Sequence, residues 1–366
     1  MAEREKRKAS SVKDLDEYKM LGEPDKAEKS VNWQIAIGLQ QVDGLKPSSY
    51  LIELAKLNIE GEITFEEIEE RLNSYYKSKP AHSRKKDRSE ETDNVSNRIS
   101  KIISEKTFTL SPAEYVAIHK RLFTGIFNHA GKIRDYNISK AEWVLSGATV
   151  FYSSADSIQA TLDYDFRQEK AFSYKGLTKE QTAEHMAKFI SGLWQIHAFG
   201  EGNTRTTAVF AIKYLRKLGF MVTNDPFEEH SWYFRNALVR ANYSDHKNGV
   251  YATDEYLNRF FRNLLLGEKN VLKNRELRVM IGCENKAQNK AQIKRTEQKM
   301  ELTVIEKAVM EHLINEPDAT QIETAGATGW SRRSVQGAMS SLKEKGLIER
   351  DGSKKTGKWI VKREQE

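Results

Sequence analysis

The 366 residues include a single cysteine, Cys283, so no intramolecular disulfide can form. A disulfide scaffold and a cysteine-rich zinc module are both excluded. Proline is scarce too, six residues beside 21 glycines. Long runs of 3.6-residue periodicity are therefore seldom broken, and a mainly α chain is predicted. No apolar stretch reaches the ~20 residues of a membrane span. The opening MAEREKRKASS is followed by no apolar segment, so neither a secretory signal nor a membrane partner is expected and the chain reads as cytoplasmic. What is abundant is charge, 59 basic against 52 acidic side chains for a net +7. An anionic partner fits that surplus, and so does a solvated basic surface.

The length suggests about two domains of roughly 100–200 residues each. Residues 1–30 read as a polar N-terminal tail. Residues 31–93 read as a small helical region, in which Leu51, Ile52, Leu54, Ala55 and Ile59 mark a buried face. There Thr64-Phe65-Glu66-Glu67 has the form of a capping box, and 77–93 are a charged, proline-interrupted loop. A central block, 94–266, carries the strongest periodicity, with a Ser-Pro helix start at Ser111-Pro112 and a capping box at Thr178 and Gln181. Within it, Trp143–Tyr152 turns β-branched and aromatic around Ser146-Gly147, which predicts a β-hairpin. Residues 267–300 are a charged linker helix. The tail, 301–366, reads helix, helix, helix, hairpin, an order similar to a winged helix with Asp351-Gly352 in the wing turn.

The informative run is Ile196-His197-Ala198-Phe199-Gly200-Glu201-Gly202-Asn203-Thr204-Arg205. A helix ends at a histidine, a short loop follows, and a new helix opens at once. Glycine and asparagine tolerate positive φ, so the loop can curl its backbone N–H groups into one concavity at a helix N-terminus. Arg205 suits phosphate oxygens, Glu201 beside phosphates suits a divalent metal, and His197 titrates near neutral pH. Together these groups point to phosphoryl or nucleotidyl transfer.

His-x-Phe-x-Glu-Gly-Asn-x-Arg resembles the core motif of the Fic (Fic/Doc) family, over about 94–266 and including Gly131-Lys-Ile-Arg134. The resemblance implies a helical bundle with a β-hairpin flap, and transfer of AMP from ATP to a Ser, Thr or Tyr hydroxyl of a target protein with release of pyrophosphate. Auto-modification is implied as well. In that scheme His197 is the base and Phe199 anchors the loop. Glu201 holds Mg²⁺, while Gly202, Asn203, Thr204 and Arg205 bind the nucleotide phosphates. Tyr233 and Asn236 would contact adenine, and Trp143–Tyr152 would be the flap that pins the target. Two positions depart from the family pattern: Thr204 replaces a glycine, and Ala208 stands where a second arginine is expected. The group transferred, AMP, UMP or phosphate, is left open by Ala208.

The N-terminal region resembles the family's inhibitory module, whose glutamate pairs with that second arginine. Asp43-Gly44 and Glu60-Gly61 are the two candidates. With Ala208 in place and aspartate for glutamate, neither half of the inhibitory ion pair has its partner, and inhibition that is weakened or works differently is expected. Residues 328–366 hold ten basic and five acidic side chains, which fits DNA or protein docking by the winged helix. The rival reading is a DNA-binding regulator whose Fic-like domain senses a ligand. A homo-oligomer is compatible with everything above.

Overall fold

A computed structural model describes residues 11–78, 88–222, 225–279, 302–351 and 357–361. The chain forms two compact units, Met1–Ile281 and Gly282–Glu366. Both are dominated by helix. Among the described residues no helix is long and apolar enough to cross a membrane.

The first unit begins with α1 (Asp16–Leu21) and α2 (Pro24–Gly38), so the second half of the expected polar tail is helical. Helix α2 is buried on two faces. Trp33 and Ile37 enter a small core with Leu51, Leu54, Ile59, Ile68 and Leu72, whereas Ile35, Ala36 and Leu39 enter the main core. A helix apolar on both sides belongs between two cores, so this region is no separate lobe. A 3-10 turn, Leu39–Asp43, continues from α2 and closes at Gly44. Then come α3 (Ser49–Glu60) and α4 (Phe65–Ser78). The Thr64 capping box forms, with Glu67 N–H on Thr64 Oγ1 at 3.2 Å and Thr64 N–H on the Glu67 carboxylate at 2.7 Å.

Helix α5 (Ser89–Ser104) starts inside the stretch read as a charged loop. Two of its acids, Glu91 and Asp93, are buried. Asp93 is fully buried and accepts from Ser48 N–H at 2.9 Å and Tyr76 Oη at 2.6 Å. Partners 17 and 45 residues away leave no local trace, which is why charge alone suggested a loop.

The main core is built by α6 (Pro112–Phe123), α7 (Ile158–Ala171), α8 (Lys179–Ile196), α9 (Asn203–Lys217), α10 (Asp225–Ala241) and α11 (Glu255–Leu266). Helix α9 is buried continuously from Asn203 to Leu215, and α8 carries the predicted Thr178–Gln181 capping box. Gly38 lets α2 approach α10, since a Cβ there would lie 2.5 Å from Glu228 Cα. The hairpin expected at 143–152 is absent. Trp143–Leu145 is a 3-10 turn ending at Ser146 with φ 54°, closed by Glu142 N–H to the Ala148 carbonyl at 2.9 Å. Glu142 is fully buried, and its side chain faces α10 rather than a second strand. The linker starts ordered, with α12 (Asn274–Leu277) and Val279 N–H on the Val144 carbonyl at 2.7 Å; 280–301 lie outside the described residues.

The second unit contains α13 (Val304–Asn315), α14 (Gln321–Thr328), α15 (Arg332–Glu344) and an antiparallel pair, β1 (Ile348–Asp351) with β2 (Lys358–Val361). Ile348 faces Val361 and Asp351 faces Lys358. Val309, Leu313, Val335, Met339, Leu342 and Ile348 form its core. The three helices and hairpin appear in the predicted order. The expected wing turn at Gly352 lies outside the described residues.

Candidate active site

The site is the turn from α8 to α9. Helix α8 stops because His197 adopts φ 51°, and α9 starts from Gly202 at φ 75°. Gly202 is required on two counts: its φ is left-handed, and a Cβ would lie 2.4 Å from the Phe123 ring. Asn203 clasps the loop, accepting from Phe199 N–H at 3.0 Å and donating to the Phe199 carbonyl at 2.7 Å. Thr204 lies in α9 with helical φ, as its β-branch demands, and its hydroxyl accepts from Trp194 Nε1 at 3.0 Å. The side chains of Asn203 and Thr204 thus hold the loop. Its open donors are on the backbone: among the described residues, no partner is found for the N–H groups of Gly200, Glu201, Gly202, Asn203, Thr204 and Arg205.

His197 is buried, and among the described residues neither ring nitrogen has a hydrogen-bond partner. The Tyr152 ring covers it at 4.1 Å between centroids, with Trp194 edge-on at 5.4 Å. Burial, then Lys140, Arg134 and Arg235, push its pKa well below the ordinary imidazole value. The ring is therefore neutral at pH 7 and free to accept a proton. Phe199 is fully buried between Tyr115 and His119, stacked on the latter at 3.7 Å.

His119, on α6, is a site residue the sequence did not reveal. Gly131 N–H donates to its Nδ1 at 2.8 Å, so Nε2 carries the proton and donates to the Glu201 carbonyl at 3.1 Å. Burial holds its pKa down to about 4. Arg134 is a second strut. It is buried, its backbone N–H bonds the Ala198 carbonyl at 2.9 Å and its Nε bonds the His197 carbonyl at 2.8 Å. These residues lie 63 to 82 positions from the loop carbonyls they hold, beyond any local pattern.

Arg205 is 1% exposed. Its guanidinium donates to Gln40 Oε1 at 3.0 Å and Glu91 Oε1 at 2.8 Å, and lies over the Phe123 ring. Nε approaches Asp43 Oδ2 to 2.9 Å as an ion pair, out of line for a hydrogen bond. This corrects the expectation that Asp43 lacks a cation. Its partner is the first motif arginine, because the 3-10 turn after α2 runs beside the start of α9. Glu60, the other inhibitory candidate, pairs with Lys26 at 2.7 Å and is not brought to the loop. Tyr233 and Asn236 are fully buried. Their side chains bond the Tyr256 carbonyl at 3.2 Å and Asn274 Oδ1 at 2.8 Å, so the structure places them in the packing of α10 and offers neither as an open surface for a base.

Glu201 is exposed, with no side-chain partner among the described residues. Nor do the described residues contain a group of three or more His, Cys, Asp or Glu able to hold a metal alone. One free carboxylate beside an amide-lined loop fits Mg²⁺ that arrives with phosphate oxygens.

Residues 109–215 match the Fic/DOC family. The comparison with curated proteins finds no match. Among solved structures, the chain is similar to the N-terminal FIC domain of Bep8, a VirB-translocated effector from Bartonella sp. 1-1C, at 19% identity, 48% of this chain, 82% of that one and TM-score 0.39. BepC from Bartonella tribocorum, with bound AMPPNP, gives 19%, 49%, 88% and 0.38. A Fic family protein from Desulfovibrio desulfuricans gives 11%, 97%, 94% and 0.43. The buried histidine, its loop and the struts that hold it all fall within 109–215, and over that span the chain carries a domain of the Fic/DOC family.

Proposed function

We propose that this chain is a protein adenylyltransferase that transfers AMP from ATP to a Ser, Thr or Tyr hydroxyl of a target protein, itself included. One observation carries the reading: a buried, neutral imidazole stands beside a helix N-terminus, and among the described residues neither the ring nor the loop amides have a partner. Such amides, with the macrodipole behind them, favour phosphate oxygens. The target oxygen attacks the α-phosphorus, the new O–P bond forms as the bond to the β-bridging oxygen breaks, and pyrophosphate leaves. His197 takes the hydroxyl proton. Its depressed pKa keeps it unprotonated, and the amides stabilise charge on the non-bridging oxygens. Glu201 would hold Mg²⁺ with the phosphates, which would neutralise part of the polyphosphate charge. His119 and Arg134 keep the loop in register.

Mass spectrometry of the protein incubated with ATP and Mg²⁺ tests this. An AMP adduct is expected, and His197→Ala should abolish it with the thermal transition unchanged. A phosphate adduct would reassign the transferred group, a UMP adduct formed with UTP would reassign the nucleotide, and full labelling of the variant would remove His197 from its role.

For the second unit we infer a contact with duplex DNA through α15, whose Arg332, Gln336, Gly337 and Ser340 are exposed. A salt-sensitive mobility shift weakened by Arg332→Ala is expected; a shift indifferent to that change would refute the assignment.

A further inference from the structure

The nucleotide reading needs positive charge for a polyphosphate, and the motif supplies little. Ala208 is fully buried in place of the second arginine, and the guanidinium of Arg205 is already engaged by Gln40, Glu91 and Asp43. Two other cations border His197, and both are occupied. Arg134 donates to the carbonyls of His197, Tyr136 and Ser153. Arg235 pairs with Glu142 at 2.8 Å and lies over Trp232 at 5.2 Å.

Lys140 differs. It is half-buried, and among the described residues its ammonium makes no hydrogen bond or ion pair. Its backbone is tied to the segment that carries Tyr152, whose ring covers His197. Lys140 N–H donates to Thr149 Oγ1 at 3.0 Å. Two residues on, the buried Glu142 accepts from Tyr152 Oη at 3.2 Å, and the Tyr152 ring lies on His197. The Lys140 charge is felt at His197, and Lys140 in turn feels Arg235, Asp43, Glu142 and Glu201. Burial, then Arg235, depress its pKa and outweigh the opposing pull of Asp43, Glu142 and Glu201, of which Asp43 and Glu142 already pair with Arg205 and Arg235. An entering anion supplies what is missing. A lysine is a compact point charge that binds phosphate without the bidentate geometry an arginine needs.

We propose that Lys140 binds a phosphate of the nucleoside triphosphate, supplying the positive charge that Ala208 takes out of the motif. This rests on the nucleotide-binding reading above.

Calorimetric titration of the full chain with Mg²⁺–ATP and, separately, adenosine tests it. Lys140→Met should weaken ATP binding about tenfold or more, leave adenosine within about twofold, and Lys140→Arg should keep ATP within about threefold of wild type. Unchanged ATP affinity in Lys140→Met overturns the proposal. Equal losses of ATP and adenosine overturn it too, because they reveal a structural role. If the wild type binds ATP no better than adenosine, or binds neither, the phosphate site itself falls, and that result is read before any variant is made.

Discussion

Asp43 and Glu60 both precede a glycine in left-handed conformation, at φ 69° and 84°, yet their environments diverge. Asp43 reaches the buried Arg205, while Glu60 holds the half-buried Lys26. Removing Asp43 releases one of two carboxylates that compete with an anionic ligand for that guanidinium. Asp43→Ala is expected to raise the auto-modification rate about two- to tenfold, the scale of one charged contact, whereas Glu60→Ala leaves it unchanged; rates followed by mass spectrometry decide between them. Gly202 is the other residue on which the loop depends. Gly202→Ala forces a Cβ against Phe123 at a left-handed φ and should cost about 1–3 kcal/mol in urea unfolding, together with most labelling.

At the level of elements, the loop between α8 and α9 is held from outside by α6. His119 joins the two through Glu201 and Gly131, and it does so as a neutral ring. Its pKa, about 4 in the fold, lies below the ordinary value near 6.5 of an unfolded chain. Between those values the unfolded state binds more protons, so stability is complete above about pH 6.5 and declines as pH falls towards 4. His197, also depressed, acts in the same direction. The shift of His119 corresponds to at most about 3 kcal/mol. The urea midpoint should therefore drop between pH 7 and pH 5, and His119→Gln should reduce that drop while lowering stability at pH 7. An equal drop in both proteins would remove His119 from this account. Arg134 and the Tyr152–Glu142–Arg235 chain show the same principle, in which the motif is short and its supports are distant.

At the level of the molecule, α2 belongs to two cores at once, with Trp33 in one and Ile35 in the other. The N-terminal region is therefore part of the fold that carries the site. A chain lacking residues 1–44 would expose Ile35's place in the main core and strip Gln40 and Asp43 from Arg205. It should lose cooperative unfolding, which circular dichroism would register. The second unit has its own core, so residues 1–281 alone should retain auto-modification at the full-length rate.

Much of this was legible in the chain. Scarce proline and unbroken periodicity determined the helices, Thr64–Glu67 and Thr178–Gln181 formed their capping boxes, and the nine residues from His197 to Arg205 marked the site because a histidine, a glycine turn and a helix start are local features. Tertiary structure alone decided the rest. It placed Asp43 on Arg205, buried Glu91 and Asp93 of α5, replaced a hairpin with a 3-10 turn around Glu142, turned Tyr233 and Asn236 into packing residues and left Lys140 unpaired among the described residues. The physical reason is range. Backbone conformation and capping are set by neighbours three or four residues apart, whereas a charge's partner and a side chain's burial depend on elements that meet only after the chain has folded.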